Sequence, residues 1–195
     1  MKFTCREGRR EDSYRIAELI DVASMGAIDF LFRDLVPGMT PVQLVAHNLE
    51  SDRFPHSYKS AIVAEYDRLI VGMALSYPSK YNVLTEEMRE FFPSDRLEHF
   101  GAHFTTRVEN SYFIDALAVD ERYRGNGIGS GLMELLKERA LDEGFPLLSL
   151  FVFADNVNAI RFYKHHGFKI HSHVDIKYHE LLPHKGGSLL MTCQV

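Results

Sequence analysis

Apolar and polar positions in this chain follow two periods, and the switches between them mark its elements. "KFTCRE" alternates weakly and predicts a short first strand. Over "REDSYRIAELIDVASMGAI" the spacing lengthens to that of a helix. Asp12 or Ser13 stands at the cap, and Ile16, Leu19, Ile20 and Ala23 share a face. "TPVQLVAHNLESD" predicts a second helix, capped by Thr40, with Pro41 in the first position and Val42, Val45, Ala46 and Leu49 inward. "SAIVAEY" and "LIVGMALSY" are strand-like runs joined by Asp67-Arg68, a hairpin signal.

The pattern changes over 78–110. Glu86, Glu87, Glu90, Asp95 and Glu98 are interleaved with Phe91, Phe92, Phe100 and Phe104, which predicts helices or loops inserted between two strands. "SYFIDALAV" resumes as a strand. "IGSGLMELLKERALDEG" is the clearest helix, with Ile128, Leu132, Leu135, Leu136 and Ala140 on one face and Gly144 as its stop. "PLLSLFVF" is apolar throughout, as a strand buried on both sides should be. "NVNAIRFYKHHG" predicts a short helix, and "FKIHSHVDIKYHEL" and "GSLLMTCQV" two last strands. The order strand, glycine loop, helix, strand, helix, strand gives an α/β (α+β) chain with at least one parallel crossover. The expected organisation is a single domain over 1–195 with a helical or loop insertion at about 78–110.

Composition narrows the class. A chain of 195 residues suits one domain with a real core. The net charge of -5, without a block of basic residues, gives no support to a nucleic-acid surface. No apolar run approaches the roughly eighteen residues of a membrane span, and the N-terminal residues lack the apolar segment of a signal peptide. The cytoplasm is the expected location. Two cysteines, Cys5 and Cys193, make no disulfide framework and no metal spacing, although neighbouring strands are a place for them.

The chemistry concentrates in "VDERYRGNGIGSG", which packs four glycines into seven residues between a strand and a helix. A P-loop is excluded, because no lysine occurs between Tyr81 and Lys137. A dinucleotide fingerprint is excluded as well. After Gly125 and Gly127 the third glycine comes one residue early, at Gly129, and Asp142 and Glu143 lie in the same helix rather than after a second strand. What remains is a tight loop feeding straight into a helix. Glycines let backbone N–H groups converge, the helix start adds unpaired donors, and Arg124 adds a cation. That arrangement suits a pyrophosphate. Further on, Asn156 follows the buried strand at the next helix cap, and Tyr163 lies seven residues later on the same helix face.

"ALAVDERYRGNGIGSGLMELL" and "LSLFVFADNVNAIRFYKHHGF" together resemble the two signatures of the GCN5-related N-acetyltransferases, the GNAT family. Arg124, Gly127 and Gly129 carry the first. The resemblance implies a mixed, twisted sheet of six or seven strands with helices on both faces and splayed strands four and five. It implies acetyl-CoA (coenzyme A) as cofactor and transfer of its acyl group, usually acetyl, to a primary amine of a small molecule or peptide by direct attack through a tetrahedral intermediate. The backbone of Arg124, Gly125, Asn126, Gly127, Ile128, Gly129 and Ser130 would hold the pyrophosphate. Leu117 and Val119 would pair with the pantetheine arm, and the Val119 N–H would polarise the thioester carbonyl. Asn156 would contact the cofactor, and Tyr163 would protonate the leaving thiolate. A homodimer is common in the family.

The acceptor side is less defined. The family's base is a histidine or a glutamate at the fourth strand, and here Ser111 starts that strand, preceded by Glu109. Asp115 is a charge inside an apolar run, so it is either a paired structural acid or a group that touches the amine or a water relay. Glu109 is the second candidate base, and Tyr112 a candidate pocket residue. His99 and His103 stand i, i+4, without a third ligand; His165 and His166 suit a helix C-terminus; His171, His173 and His179 fall with the late strands, so no metal site is expected. The acidic, aromatic insertion is either a lid selecting a cationic amine or a solvent-facing helix pair with a phenylalanine core. The alternative to an enzyme is a non-catalytic acyl-CoA-binding regulatory or structural domain of the same fold.

Overall fold

The computed structural model of the chain describes residues 2–195. Strands β1 (Thr4–Glu7), β2 (Ala61–Tyr66), β3 (Leu69–Pro78), β4 (Ser111–Val119), β5 (Leu147–Phe153), β6 (Lys169–Val174) and β7 (Ser188–Gln194) form one sheet in the order β1-β2-β3-β4-β5-β7-β6. The sheet is mixed. β4 and β5 are parallel, whereas β1–β2, β2–β3, β5–β7 and β6–β7 are antiparallel. The helices are α1 (Ser13–Ser24), α2 (Ala27–Phe32), α3 (Pro41–Glu50), α4 (Glu86–Phe91), α5 (Ser94–His99), α6 (Gly101–Thr105), α7 (Ile128–Asp142) and α8 (Val157–His165). Among the described residues no helix is long and apolar enough to cross a membrane.

Contacts divide the chain into two compact units. One contains the chain up to Tyr77 together with Asp115–Leu136, and the other contains Pro78–Ile114 together with Lys137–Val195. β4 therefore gives its first four residues to one unit and its last five to the other.

In the first unit the predicted helical faces are the ones buried. Ile16, Leu19 and Ile20 of α1 and Val45, Ala46 and Leu49 of α3 close on Ala61, Val63, Met73, Leu75, Ala116 and Ala118 from the strands. Small residues on β2 and β4 let the two helices lie close to the sheet. α3 begins as its sequence predicts: Thr40 Oγ1 accepts the Gln43 N–H at 3.2 Å, and Gln43 Oε1 accepts the Thr40 N–H at 2.8 Å. The hairpin also forms as read, with Asp67 (φ 50°) and Arg68 (φ 62°) both left-handed, as a two-residue turn between twisted strands requires. The first helix departs from the continuous element predicted. It stops at Met25 (φ 51°) and Gly26 (φ 97°), where Ser24 Oγ takes the Ile28 N–H at 3.2 Å and starts α2.

In the second unit the insertion folds into three short helices, α4 to α6. Asn82 Nδ2 donates to His103 O at 3.2 Å, and Ser79 Oγ to Val108 O at 2.9 Å. These bonds tie both ends of the insertion to its own backbone. Leu148, Ser149 and Leu150 of β5 are buried in succession, as a strand covered on both faces must be. β6 is shorter than its sequence pattern predicts and ends at Val174. Gly187 explains the stop: its left-handed backbone (φ 71°) runs so close to Val174 O that a Cβ would stand 2.3 Å away. Residues 175–187 form a loop with one His179–Leu182 bridge. Cys5 lies on β1 and Cys193 on β7, which are not neighbours in the sheet, and the two are not joined in a disulfide.

Candidate active site

The glycine stretch is anchored at its base by Asp120. The Asp120 N–H bonds Val71 O of β3 at 2.8 Å, and its carboxylate accepts from Arg122 at 2.9 Å and from Arg15 of α1 at 2.6 Å. The hydrogen bond from the Arg122 guanidinium, outweighing the cost of burial and helped by Arg15, holds this carboxyl well below the usual carboxylate range. Arg15 Nε also donates to Ile70 O at 3.1 Å, so α1, β3 and the end of β4 meet at one point.

From this anchor the loop turns through Gly125 (φ 76°) and Gly127 (φ 79°), and a Cβ at either would meet nothing within 4 Å. Glycine is required there by backbone conformation and leaves the loop's outer side open. Arg124 Nε donates to Val119 O at 3.1 Å, and Asn126 Nδ2 donates to Tyr123 O and to Arg124 O, each at 3.1 Å. Both side chains thus brace the loop from within. The helical ladder of α7 begins with the Gly131 N–H on Gly127 O at 2.9 Å, so Ile128, Gly129 and Ser130 make up the first turn, at the positive end of the helix. Ile128 is the apolar anchor, buried against Gly72 of β3, where a Cβ would come within 3.0 Å of Ile128 Cγ2. An open, positively polarised backbone cradle on a fixed base fits a pyrophosphate.

β4 beyond Ile114 shows a clean period of two. Ala116 and Ala118 point into the core, while Asp115, Leu117 and Val119 are the more exposed positions. Asp115 therefore shares a side with the main-chain candidates Leu117 and Val119. It has company that the sequence did not announce. Tyr77 of β3 donates its hydroxyl to Asp115 Oδ1 at 3.1 Å, and His56 Nε2 lies 4.0 Å from Asp115 Oδ2. Neither residue belongs to a motif. A lone tyrosine near a strand end and a histidine in a loop carry no periodic signal, and only strand pairing brings them to Asp115.

The other candidates lie in the second unit. Asn156 is the N-cap of α8, its Oδ1 accepting the Ala159 N–H at 3.1 Å. His184 steadies the turn before it by stacking on Phe153 at 3.7 Å and meeting Asp155 Oδ1 at 2.9 Å. Tyr163 follows on the same helix, its ring packed against Phe168 and 8% exposed. Burial pushes its phenol up to about 12, so it holds its proton at neutral pH. Glu109 is 79% exposed and paired with Arg107 at 3.0 Å, a solvent-facing ion pair. Tyr112 is buried with its hydroxyl on Glu143 at 2.8 Å, which makes it a packing residue. His103 packs on Phe151 at 4.4 Å, and burial pushes its imidazole down to about 4. Among the described residues no group of three His, Cys, Asp or Glu side chains is placed to hold a metal ion.

Comparison with known proteins bears on this geometry. The sequence profile of the Acetyltransferase (GNAT) family matches residues 28–168. The chain is similar to a mycothiol acetyltransferase of Jonesia denitrificans, with 46% identity over 52 residues. That match covers 27% of this chain and only 17% of the relative. A crystal structure of an acetyltransferase superposes with a TM-score of 0.71 at 27% identity, covering 98% of this chain and 99% of the other. The PaiA N-acetyltransferase of Thermoplasma acidophilum, in complex with coenzyme A, gives a TM-score of 0.57 at 13% identity, with all of both chains covered. The family profile spans most of the sequence, including the glycine loop and both Asn156 and Tyr163, and the chain belongs to the GNAT acetyltransferase family.

Proposed function

We propose that the chain is an N-acetyltransferase that uses acetyl-CoA to acylate a primary amine on a small molecule or peptide. The observation that carries this reading is the braced glycine cradle over residues 124–130. Gly125 and Gly127 are open on the outer side, and the loop leads directly into α7. Coenzyme A supplies an acyl group already activated as a thioester. Main-chain N–H groups of Gly125, Asn126, Gly127, Ile128, Gly129 and Ser130 bind its pyrophosphate, whereas the Arg124 N–H, counted with them on sequence grounds, is turned inward to Glu121 O at 3.3 Å. The main chain at Leu117 and Val119 lines the arm, and the Val119 N–H stabilises the charge that develops on the carbonyl oxygen. Asn156 contacts the cofactor through its amide while capping α8. Tyr163, kept protonated by burial, returns a proton to the departing sulfur.

The test is release of free thiol from acetyl-CoA by the purified chain, set against polyamines, arylalkylamines, aminoglycosides, amino acids and peptide N-termini. Acceptor-dependent release supports the reading. Tight coenzyme A binding without release on any acceptor would identify a non-catalytic acyl-CoA-binding domain instead.

A further inference from the structure

The cluster of His56, Tyr77 and Asp115 lies outside both sequence signatures. Its three members come from the loop before β2, from β3 and from β4. Tyr77 is 1% exposed, and a phenolic hydroxyl so deeply buried needs a partner. It finds one in Asp115 Oδ1 at 3.1 Å, and its oxygen lies 3.4 Å from His56 Nε2. The rings of His56 and Tyr77 meet edge to face, 5.4 Å apart at 74°. The loop holding His56 is fixed by Ser57, which is buried, donates to Asp52 Oδ1 at 2.6 Å and accepts the Lys59 N–H at 3.1 Å. A buried hydroxyl thus anchors two groups that remain reachable from solvent: the His56 side chain is 42% exposed and that of Asp115 28%.

The two reachable groups have complementary chemistry. An alkylammonium is attracted to a carboxylate, and it must lose a proton before its nitrogen can attack. Carboxylates as a class are weak bases at neutral pH, whereas an imidazole is matched to proton uptake there. Asp115 precedes Leu117 by two residues on the same side of β4, a spacing of roughly 7 Å. Resting on the reading above, which lays the thioester arm along Leu117 and Val119, this puts the cluster beside the reacting carbon.

We propose that His56 is the proton acceptor for the acceptor amine, that Asp115 binds the ammonium beside it, and that Tyr77 is the positioning residue that fixes both. One ammonium proton passes to the His56 imidazole, which becomes imidazolium and later releases it to water. The nitrogen lone pair so freed forms the N–C bond while the C–S bond breaks, its electron pair leaving on sulfur. The second proton lost by nitrogen on forming the amide matches the one gained by that sulfur. The site takes primary alkylammonium groups.

The experiment compares ethylamine, which is protonated at neutral pH, with trifluoroethylamine, which is largely unprotonated there. Both are offered with acetyl-CoA to the full chain and to its variants. His56→Gln is expected to lower kcat/KM for ethylamine by about 100-fold or more and for trifluoroethylamine by several-fold only, with coenzyme A affinity unchanged. Asp115→Asn should raise KM for ethylamine more than for trifluoroethylamine. Tyr77→Phe should shift both parameters in the same sense by a smaller factor. Equal losses on the two amines, or no loss on ethylamine, would overturn the assignment of His56. His56→Asn replaces the glutamine variant if the latter fails to bind coenzyme A. A wild-type chain that binds coenzyme A and acylates neither amine, nor any acceptor of the wider panel, would instead sink the acetyltransferase reading and this proposal with it.

Discussion

Ile128 stands on Gly72. The first buried side chain of α7 occupies the space that a side chain on β3 would fill, with Ala118 O closing the same gap at 3.1 Å. Gly72→Ala should therefore destabilise the chain by about 1–3 kcal/mol, since the carbonyl cannot yield. Ile128→Leu in the same chain should recover part of that loss, because leucine has no Cγ2 branch at its Cβ. Denaturant unfolding of the two single variants and the double variant measures the coupling, and additive losses would show that the two residues do not compete for one space.

Gly127 makes a different demand. A Cβ there meets no atom, so Gly127→Ala carries only the cost of a left-handed backbone, about 1–2 kcal/mol. The added methyl group nevertheless stands on the open side of the cradle. Coenzyme A affinity measured by calorimetry should fall tenfold or more while the unfolding midpoint falls by only about 2–8 °C, as the backbone cost alone requires. Affinity that stays at the wild-type value would remove the loop from cofactor binding.

Asn156 is expected to serve two purposes that substitution can separate. Asn156→Asp keeps the oxygen that caps α8 and loses the amide donors. It should leave stability within a few tenths of a kcal/mol and weaken coenzyme A binding. Asn156→Ala loses the cap as well and should cost about 1 kcal/mol further. Identical stability for the two variants would mean that the bond to the Ala159 N–H contributes nothing.

Tyr163→Phe tests the donor of the final proton. With the phenol pushed up to about 12, the wild-type group is protonated throughout the neutral range. The variant should lower the rate of the chemical step by roughly tenfold to a hundredfold, since a thiolate already leaves readily. Coenzyme A affinity should be retained. Single-turnover rates unchanged from wild type would assign the proton to another source.

His103 should register as acid sensitivity. Its imidazole is pushed down to about 4 by burial, below the ordinary histidine value near 6.5. The folded chain therefore holds it neutral while the unfolded chain protonates it. The stability it contributes is fully present above about pH 6.5 and is lost as pH falls toward about 4, at up to about 1.4 kcal/mol per pH unit. His103→Phe should flatten that part of the stability curve measured by urea unfolding, and an unchanged slope would contradict the buried, neutral state.

The form of the glycine loop, the site proposed for the donor, was legible in sequence because it is local. Gly125 and Gly127 lie two residues apart in the chain, their left-handed backbone is written in residue type, and Thr40, Asn156 and Gly144 punctuate their helices in the same way. The acceptor side depends on pairing between distant strands. Tyr77 and Asp115 are 38 residues apart, and nothing in the period of either strand says which residue will face which. The split of the first helix at Met25 was hidden for a related reason: its apolar spacing continues across a break made by a serine side chain and a left-handed backbone. The early end of β6 depends on Gly187 passing Val174, a contact that no pattern within the strand encodes.

The bond from Arg15 to Asp120 joins positions 105 residues apart, and with it the curve of the glycine loop becomes a property of the finished chain. A peptide cut to 119–131 would keep every glycine and lose α1, β3 and the carboxylate's second guanidinium. During synthesis the loop emerges long after Arg15 but acquires its anchor only when β3 and β4 have paired around it. The pyrophosphate cradle proposed for this loop therefore belongs to the paired sheet and α1 together, rather than to the segment that carries the signature.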